Sequence, residues 1–215
     1  MKFLSFSRFI LISIFPLLAF LVILNFTAFD ESFYESKFSE YNVAESVKEP
    51  LSLHQQVIGF IKGHSPELPD SFNKREKEHL FDVRNLVSVL SIVLYFLIAV
   101  FILLLIASGM ALKVSGKITN FIGKIMVFGG FLTVALALVL FVLISSDFSS
   151  TFESFHRLFF EPGSYLFDPS SESIVRLYPE QIFMDIGLRI SRWVLISSAL
   201  FIVAGFYMAS KPKRK

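Results

Sequence analysis

Four long runs without a charged side chain constrain this chain more than any other feature. They cover residues 9–29, 85–112, 125–146 and 193–210. A helix that crosses a bilayer needs about 20 mostly apolar residues, with a range of about 17–25. The first and third runs have this length, the second is long enough to tilt, and the fourth is short but sufficient. The sequence therefore predicts an all-α membrane protein built as a bundle of four transmembrane helices.

The first run resembles a secretory signal peptide only in part. Lys2 and Arg8 stand where the charged region of a signal peptide would be, but the apolar stretch is too long and no A-x-A cleavage site follows it. Pro16 and Asn25 lie inside the run, and a spanning helix tolerates both. We therefore expect this run to be retained as the first span.

The charges between the runs predict an orientation. All 18 Asp and Glu residues lie in two regions, 30–82 and 147–185. The N-terminus, the 113–124 connector and the C-terminal tail carry only basic charges. Because basic segments stay in the cytoplasm, we expect both termini there (N-in/C-in). The outer loops, residues 30–84 and 147–192, then form a small extracytoplasmic cap on a single integral membrane domain.

The outer loops also contain local helix signals. Pro50 opens a short apolar segment and Gly63 closes it, which is typical of a short packing helix. Asn73 followed by Glu76 is a capping box, and no helix breaker separates it from the second run, so one helix is expected to extend into the membrane. The residues before Pro50 are weakly patterned. The stretch STFESFHRLFF predicts one or two helical turns, and Pro179 is expected to start a helix that continues into the fourth span.

Several classes of chemistry lack their sequence signals. The chain has no cysteine, which removes disulfides, thiol nucleophiles and cysteine-ligated metals, and the chain cannot itself be a lipid-modified lipoprotein. Nucleotide-binding glycine motifs and the zinc-binding H-E-x-x-H spacing are absent, so no cofactor or metal is predicted. Ser154 and Ser164 lie near His156, but the G-x-S-x-G motif of serine hydrolases is missing. The basic tail is interpreted as a membrane anchor and not as a nucleic-acid site.

Two of the four histidines are candidate catalytic residues. The four are His54, His64, His79 and His156. His64 lies in a turn and is expected to be solvated, and His54 is interpreted as polar surface. His79 and His156 each lie on a predicted helix edge at the outer membrane boundary, with Asp82 and Glu153 respectively three residues away. A carboxylate can hold an imidazole in one tautomer for general-base chemistry, although a structural hydrogen-bonding role is the competing interpretation.

The sequence also resembles a known family. The stretches NKREKEHLFDVRNL and FESFHRLFFEPGSYLFDPSSESIVRLYPEQIFMD are similar to the four-span bacterial integral membrane proteins that include the lipoprotein intramolecular transacylase. The four-span layout with two outer loops is similar as well, so the resemblance covers nearly the whole chain. Tyr165 is a departure, because tryptophan is expected at that position. The resemblance implies that His79 and His156 are the two essential histidines.

The resemblance implies an acyl transfer within one lipoprotein molecule. The enzyme would move the sn-2 acyl chain of a diacylglyceryl-cysteine to the cysteine α-amino group and leave a lyso-form lipoprotein. An α-amino group has a pKa of about 7.7–8.0, so a histidine of ordinary basicity can remove its proton. Asp82 and Glu153 would orient the histidines, and Arg84 and Arg157 would contact the oxyanion, a phosphate or lipid headgroups. The implied partners are diacylglyceryl-modified lipoproteins and membrane phospholipids, and the implied location is the extracytoplasmic leaflet of the cell membrane.

Two other functions remain open at this point. A non-catalytic membrane scaffold that binds a lipid or a partner would keep the two histidines far apart or fully hydrogen-bonded. A histidine-dependent membrane lipid hydrolase would use the same pair with water and would release free fatty acid. The assignment of the base and of the oxyanion or leaving-group partner to the two histidines is also open.

Overall fold

The computed structural model describes residues 2–112 and 117–210, and every regular element within them is a helix. Part of the 113–124 connector and the whole 211–215 tail lie outside this range. The helices are α1 (Lys2–Thr27), α2 (Glu31–Glu40), a 3₁₀ turn (Val43–Glu45), α3 (Pro50–Ile61), α4 (Lys74–Leu112), α5 (Ile118–Ser146), α6 (Phe148–Phe159), α7 (Ser173–Leu177) and α8 (Glu180–Ser210).

Four of these helices are long and apolar enough to cross a membrane, namely α1, α4, α5 and α8. This confirms the predicted fold class of an all-α, four-helix membrane protein. As expected, α4 starts well before its charge-free run and α8 starts directly after Pro179, so both helices extend beyond the apolar residues. Many large apolar side chains on all four helices are exposed, as helices that face lipid require.

The chain divides into two compact units. The first, called the spanning unit here, comprises Met1–Asn25, Ile92–Val142 and Arg189–Lys215. The second, called the histidine unit, comprises Phe26–Ser91 and Leu143–Leu188. The helices α1, α4, α5 and α8 each contribute residues to both units.

Small residues let α5 and α8 approach closely inside the spanning unit. A Cβ atom placed on Gly123 would lie 2.6 Å from the carbonyl oxygen of Gly205 and 2.7 Å from the amide nitrogen of Ala209. Helix pairs in lipid gain stability from such close backbone contact, because burial of apolar surface offers no advantage there. A buried hydrogen bond of 2.8 Å between the hydroxyls of Ser7 and Ser108 joins α1 to α4 in the same unit.

The histidine unit has a hydrophobic core of its own. Its buried members come from α2, the 3₁₀ turn, α3, α7, the first parts of α4 and α8, and the loops that carry Val47 and Phe72: Tyr34, Phe38, Val43, Val47, Leu53, Val57, Phe60, Phe72, Leu80, Ile174, Leu177 and Ile182. The residues before Pro50, which the sequence pattern left without an element, contribute α2 to this core. Their periodicity is weak because charged residues flank the inward-facing Tyr34 and Phe38. Lys37 and Tyr41 secure this region through the carboxylate of Asp185, each at 2.7 Å.

The helix that carries His156 is longer than the one or two turns expected. Helix α6 covers 12 residues and is capped by Asp147, the residue before its start, whose carboxylate accepts a hydrogen bond of 3.0 Å from the Ser150 amide. It ends at Phe159, and Pro162 follows with Gly163 in the left-handed region at φ 88°. A residue other than glycine would be strained at that angle, so Gly163 permits the turn that leads into the loop between α6 and α7.

Candidate active site

His79 lies in the second turn of α4, and the helix start holds it in place. The side chain of Asn73 accepts a hydrogen bond of 3.0 Å from the Glu76 amide. In turn, the carboxylate of Glu76 accepts a hydrogen bond of 2.7 Å from the Asn73 amide. This reciprocal pair is the predicted capping box, and the structure confirms it. His79 is 7% exposed, and its Nδ1 atom is buried with no hydrogen-bond partner among the residues that the structure describes.

His156 lies in the last turns of α6 and is 8% exposed. Its Nδ1 atom lies 2.8 Å from the carbonyl oxygen of Phe152, four residues earlier. A carbonyl oxygen only accepts hydrogen bonds, so Nδ1 carries the proton and Nε2 of the neutral ring has a free lone pair. Burial lowers the pKa of His156 below its ordinary value, and the hydrogen bond to Phe152 opposes this only in part.

The two histidines lie next to each other although 77 positions of sequence separate them. Their ring centroids are 6.1 Å apart, and the ring planes differ by 25°. A hydrogen bond spans about 3 Å, so one small group placed between the rings can contact both. The structure therefore brings together the two residues that the sequence analysis selected.

Aromatic side chains surround the pair. Phe160 contacts both rings, with centroid distances of 5.0 Å to His79 and 5.5 Å to His156. Tyr165 lies 4.9 Å from His156, and Phe167 lies 5.3 Å from His79. Such an apolar surrounding excludes water and strengthens any electrostatic interaction made between the rings.

The structure gives the predicted supporting acids other positions. Asp82 lies on an exposed part of α4. Glu153 pairs with Arg157 at 2.5 Å, and both side chains are at least half exposed. The partner of His156 Nδ1 is thus a backbone carbonyl and not Glu153. The reason is helical geometry, because the carbonyl four residues earlier lies directly under the ring, while the carboxylate three residues earlier points to solvent.

The predicted supporting arginines also have other contacts. The guanidinium of Arg84 lies 4.9 Å from the ring of Phe60, and a Cβ atom on Gly63 would lie 3.5 Å from its Nη2 atom. Arg157 is engaged with Glu153 on the exposed side of α6. Neither position brings a guanidinium between the two imidazoles. Arg84 makes a cation–π contact, and Arg157 forms a surface ion pair.

The other two histidines differ from each other. His64 is exposed, as expected for a turn residue. His54 is not polar surface, because it is 2% exposed and stacks 4.0 Å from Tyr34. Its Nδ1 atom also lies 2.9 Å from the hydroxyl of Tyr178, and burial lowers its pKa to about 4. It is a core residue, and no feature of its sequence neighbourhood distinguishes it from a surface histidine.

The competing chemistries find little support in the site. Across residues 2–112 and 117–210, no group of three or more His, Asp or Glu side chains is arranged to hold a metal ion. The hydroxyl of Ser164 donates to the carbonyl oxygen of Glu161 at 2.9 Å, and Ser154 is exposed. Neither serine is arranged as a nucleophile paired with His156.

Sequence reasoning did not find the residues that hold the aromatic surrounding. Arg75 contacts Phe167 and the carbonyl groups of the loop between α6 and α7. Glu172 is a buried carboxylate that pairs with Arg75 at 3.6 Å. These contacts join residues far apart in sequence, so a single sequence contains no signal for them.

Comparison with known proteins agrees with this arrangement. A family model described as lipoprotein intramolecular transacylase Lit matches residues 9–183. The solved structure of the membrane integral lipoprotein intramolecular transacylase Lit from Bacillus cereus has a TM-score of 0.79 and 19% sequence identity, and covers 95% of this chain and 95% of that chain. No curated protein matches the sequence.

Two further structures of the Bacillus cereus protein carry a substitution of one histidine, by arginine in one and by alanine in the other. Their TM-scores are 0.73 and 0.74, each at 20% identity and with 95% of this chain covered. The matches cover 91% of the chain with the arginine substitution and 93% of the chain with the alanine substitution. The likeness to the three structures shows that the fold is shared.

Proposed function

The chain belongs to the lipoprotein intramolecular transacylase Lit family, and from this premise we propose that it moves the sn-2 acyl chain of a diacylglyceryl-cysteine lipoprotein to the α-amino group of that cysteine. The product is a lyso-form lipoprotein of unchanged mass. The observation that carries this proposal is the pairing of His79 and His156, two buried imidazoles whose ring centroids are 6.1 Å apart within an aromatic surrounding.

His156 serves as the general base. Its Nδ1–H donates to the Phe152 carbonyl, so Nε2, which has the free lone pair, is the atom that accepts a proton. The amine nitrogen attacks the carbonyl carbon of the sn-2 ester while Nε2 removes a proton from the amine. The lowered pKa of His156 keeps the ring neutral at pH 7, which is the form a base requires.

His79 stabilises the negative charge that develops on the carbonyl oxygen of the ester. The tetrahedral intermediate places a negative charge on the former carbonyl oxygen, and an N–H of His79 donates a hydrogen bond to it. The buried and unpartnered Nδ1 of His79 supports this role, because an unpaired buried polar atom costs about 1–3 kcal/mol unless a substrate supplies the partner. When the bond to the glyceryl oxygen breaks, the imidazolium of His156 returns its proton to that oxygen, so all protons balance.

The reaction needs no external source of free energy. Transfer from an ester to an amine is downhill, so the reaction as proposed uses no nucleotide, metal or coenzyme. The ester and the amine belong to one molecule, and the site has to bring them together and hold them in contact. The aromatic rings of Phe160, Tyr165 and Phe167 support this step, because they provide a dry surface next to both histidines.

We place the protein in the cell membrane as a single integral domain with both termini in the cytoplasm. The support is the distribution of charge, because the acidic residues lie in the predicted outer loops and the remaining segments are basic. The histidine unit contains both acidic regions, so the reaction would occur at the extracytoplasmic leaflet among membrane phospholipids. We assign Arg84 and Arg157 to headgroups and not to the reacting atoms.

The proposal is tested by mass spectrometry of a reporter lipoprotein. The reporter is co-expressed with wild type, His79→Ala, His156→Ala or the control His64→Ala in cells that lack other N-acylation. We expect an N-acylated, S-monoacylglyceryl cysteine with wild type and the control, and its loss in the two site variants. A diacylglyceryl cysteine in every sample despite normal membrane insertion would favour a scaffold. Loss of an acyl chain without a new amide would favour a hydrolase.

A further inference from the structure

Arg75, in the first turn of α4, contacts the loop between α6 and α7 at several points. Its guanidinium donates to the carbonyl oxygen of Gly163 at 3.0 Å and to that of Leu166. The same group lies 5.1 Å from the ring of Phe167, and its Nη1 atom lies 3.6 Å from a carboxylate oxygen of Glu172. A planar guanidinium with five N–H donors is suited to bind carbonyls, a carboxylate and a ring face at once.

Two buried carboxylates complete this connection. Glu172, whose side chain is 8% exposed, accepts hydrogen bonds from the amide of Asp168 at 2.6 Å and from the side chain of Asn73 at 3.3 Å. Glu76 is buried and accepts a hydrogen bond of 2.7 Å from the amide of Ile174. Buried carboxylates are costly unless they are paired, so these contacts hold the end of the loop firmly against the start of α4.

The same loop carries two of the rings that contact the histidines. Tyr165 lies 4.9 Å from His156, and Phe167 lies 5.3 Å from His79. The two carbonyls that Arg75 binds are those of Gly163 and Leu166, so one anchored residue precedes Tyr165 and the other directly precedes Phe167. The side chain of Arg75 therefore binds the loop backbone on both sides of Tyr165 and directly before Phe167.

We propose that Arg75 is a positioning residue whose hold on this loop keeps water away from the ester during acyl transfer. The inference rests on the proposed function and adds to it a determinant of the acyl acceptor. His156 can remove a proton from water as well as from an amine, so the exclusion of water decides which acceptor reacts. When water attacks, its oxygen joins the ester carbonyl carbon, the bond to the glyceryl oxygen breaks, and that oxygen takes a proton. The products are a free fatty acid and a lipopeptide without an amide.

The test measures the ratio of free fatty acid to N-acylated product. Purified full-length protein in vesicles of phosphatidylethanolamine and phosphatidylglycerol is given a synthetic diacylglyceryl-cysteine peptide. The variants are Arg75→Met, Arg75→Lys and Phe167→Leu. The matched control is Lys74→Met, because Lys74 is the neighbouring cation in the same helical turn and its side chain is 91% exposed.

We expect the ratio to rise roughly tenfold in Arg75→Met, since a small displacement of groups that surround a reaction has large effects on its course. Arg75→Lys should show a smaller rise, because lysine restores the charge next to Glu172 but cannot bind two carbonyls and a ring together. Phe167→Leu should raise the ratio while the backbone contacts of Arg75 stay in place. Lys74→Met should match wild type.

An unchanged ratio in the folded Arg75 and Phe167 variants would overturn the inference, even where the rate or the thermal stability falls. Arg75 would then only stabilise the histidine unit. This outcome differs from failure of the proposed function, in which wild type itself yields no N-acylated product. That second result would contradict the proposed function and, with it, the role of Arg75.

Discussion

The Nδ1 atom of His156 lies 2.8 Å from the carbonyl oxygen of Phe152, one helical turn earlier. The main chain of α6 therefore fixes the tautomer of the histidine that we assign as the base. A backbone carbonyl does not titrate, and no side-chain substitution removes it. The base is consequently prepared by the fold of α6 itself, independently of the nearby carboxylates.

This arrangement predicts the pH dependence of kcat/KM. Burial lowers the pKa of His156 from its ordinary value of 6.5, so the ring is neutral above that pH. The substrate amine has a pKa of about 7.7–8.0, so the reactive neutral amine increases with pH up to that range. We expect log kcat/KM to rise with a slope of about one between pH 6.5 and the pKa of the amine. We expect a slope of about two only below pH 6.5. A slope of two that begins above pH 7 would contradict the lowered pKa.

A second prediction concerns Glu153. Because its carboxylate pairs with Arg157 on an exposed helix face, Glu153→Gln should leave the tautomer of His156 unchanged. We expect kcat to change by less than about threefold and the stability by less than about 1 kcal/mol. Steady-state kinetics with the lipopeptide and thermal unfolding in detergent measure the two effects. A loss of kcat comparable to that of His156→Ala would instead identify Glu153 as the group that orients the histidine.

A third prediction concerns the buried His54. Its pKa is about 4 in the folded protein and near 6.5 when unfolded, so the unfolded chain binds the additional proton between these values. The stability contribution is present above pH 6.5 and is lost as the pH falls towards 4, by roughly 3 kcal/mol in total. His54→Gln should reduce this decline, to which the buried His79 also contributes because its pKa is likewise lowered to about 4, measured as unfolding midpoints at pH 7 and pH 4.5. His64→Gln, at an exposed turn, should retain the full decline, and an equal decline in all three proteins would refute the prediction.

The close contact between α5 and α8 gives a fourth prediction. Gly123→Ala should lower the unfolding temperature, because the new Cβ atom would meet backbone atoms of Gly205 and Ala209 that cannot rotate away. Gly59→Ala in α3 is the control, since no heavy atom other than those of its chain neighbours and its own helix backbone lies within 4 Å of its Cβ position. That control should be neutral or stabilising by about 0.5–1 kcal/mol. Equal effects of the two substitutions would show that this helix contact is looser than described.

Much of the fold could be predicted from the sequence because bilayer crossing imposes a length and a composition. The charge-free runs identified the four long helices, and the Asn73–Glu76 capping box identified the start of α4. The pattern did not predict α2, because a helix in a polar segment is stabilised by tertiary packing of Tyr34 and Phe38 and not by its own periodicity.

The site could be predicted in its residues but not in its contacts. His79 and His156 were selected because each lies on a predicted helix edge at the outer membrane boundary with a carboxylate three residues away, and a family resemblance supported the choice. The orienting group could not be found, because a backbone carbonyl has no sequence signal and the carboxylates were the visible alternative. Arg75 was missed for a related reason, since its contacts are with a loop that is distant in sequence.

The central claim is that the acyl chain passes from the glyceryl oxygen to the cysteine amine at His79 and His156. The most direct measurement uses a diacylglyceryl-cysteine peptide whose sn-2 acyl carbonyl carbon carries a ¹³C label, with purified protein in vesicles. We predict that the label appears in an amide on the cysteine nitrogen, that the peptide mass is unchanged, and that neither His79→Ala nor His156→Ala gives this product. Label that stays on the glycerol, or that leaves as free fatty acid with wild type, would contradict the account.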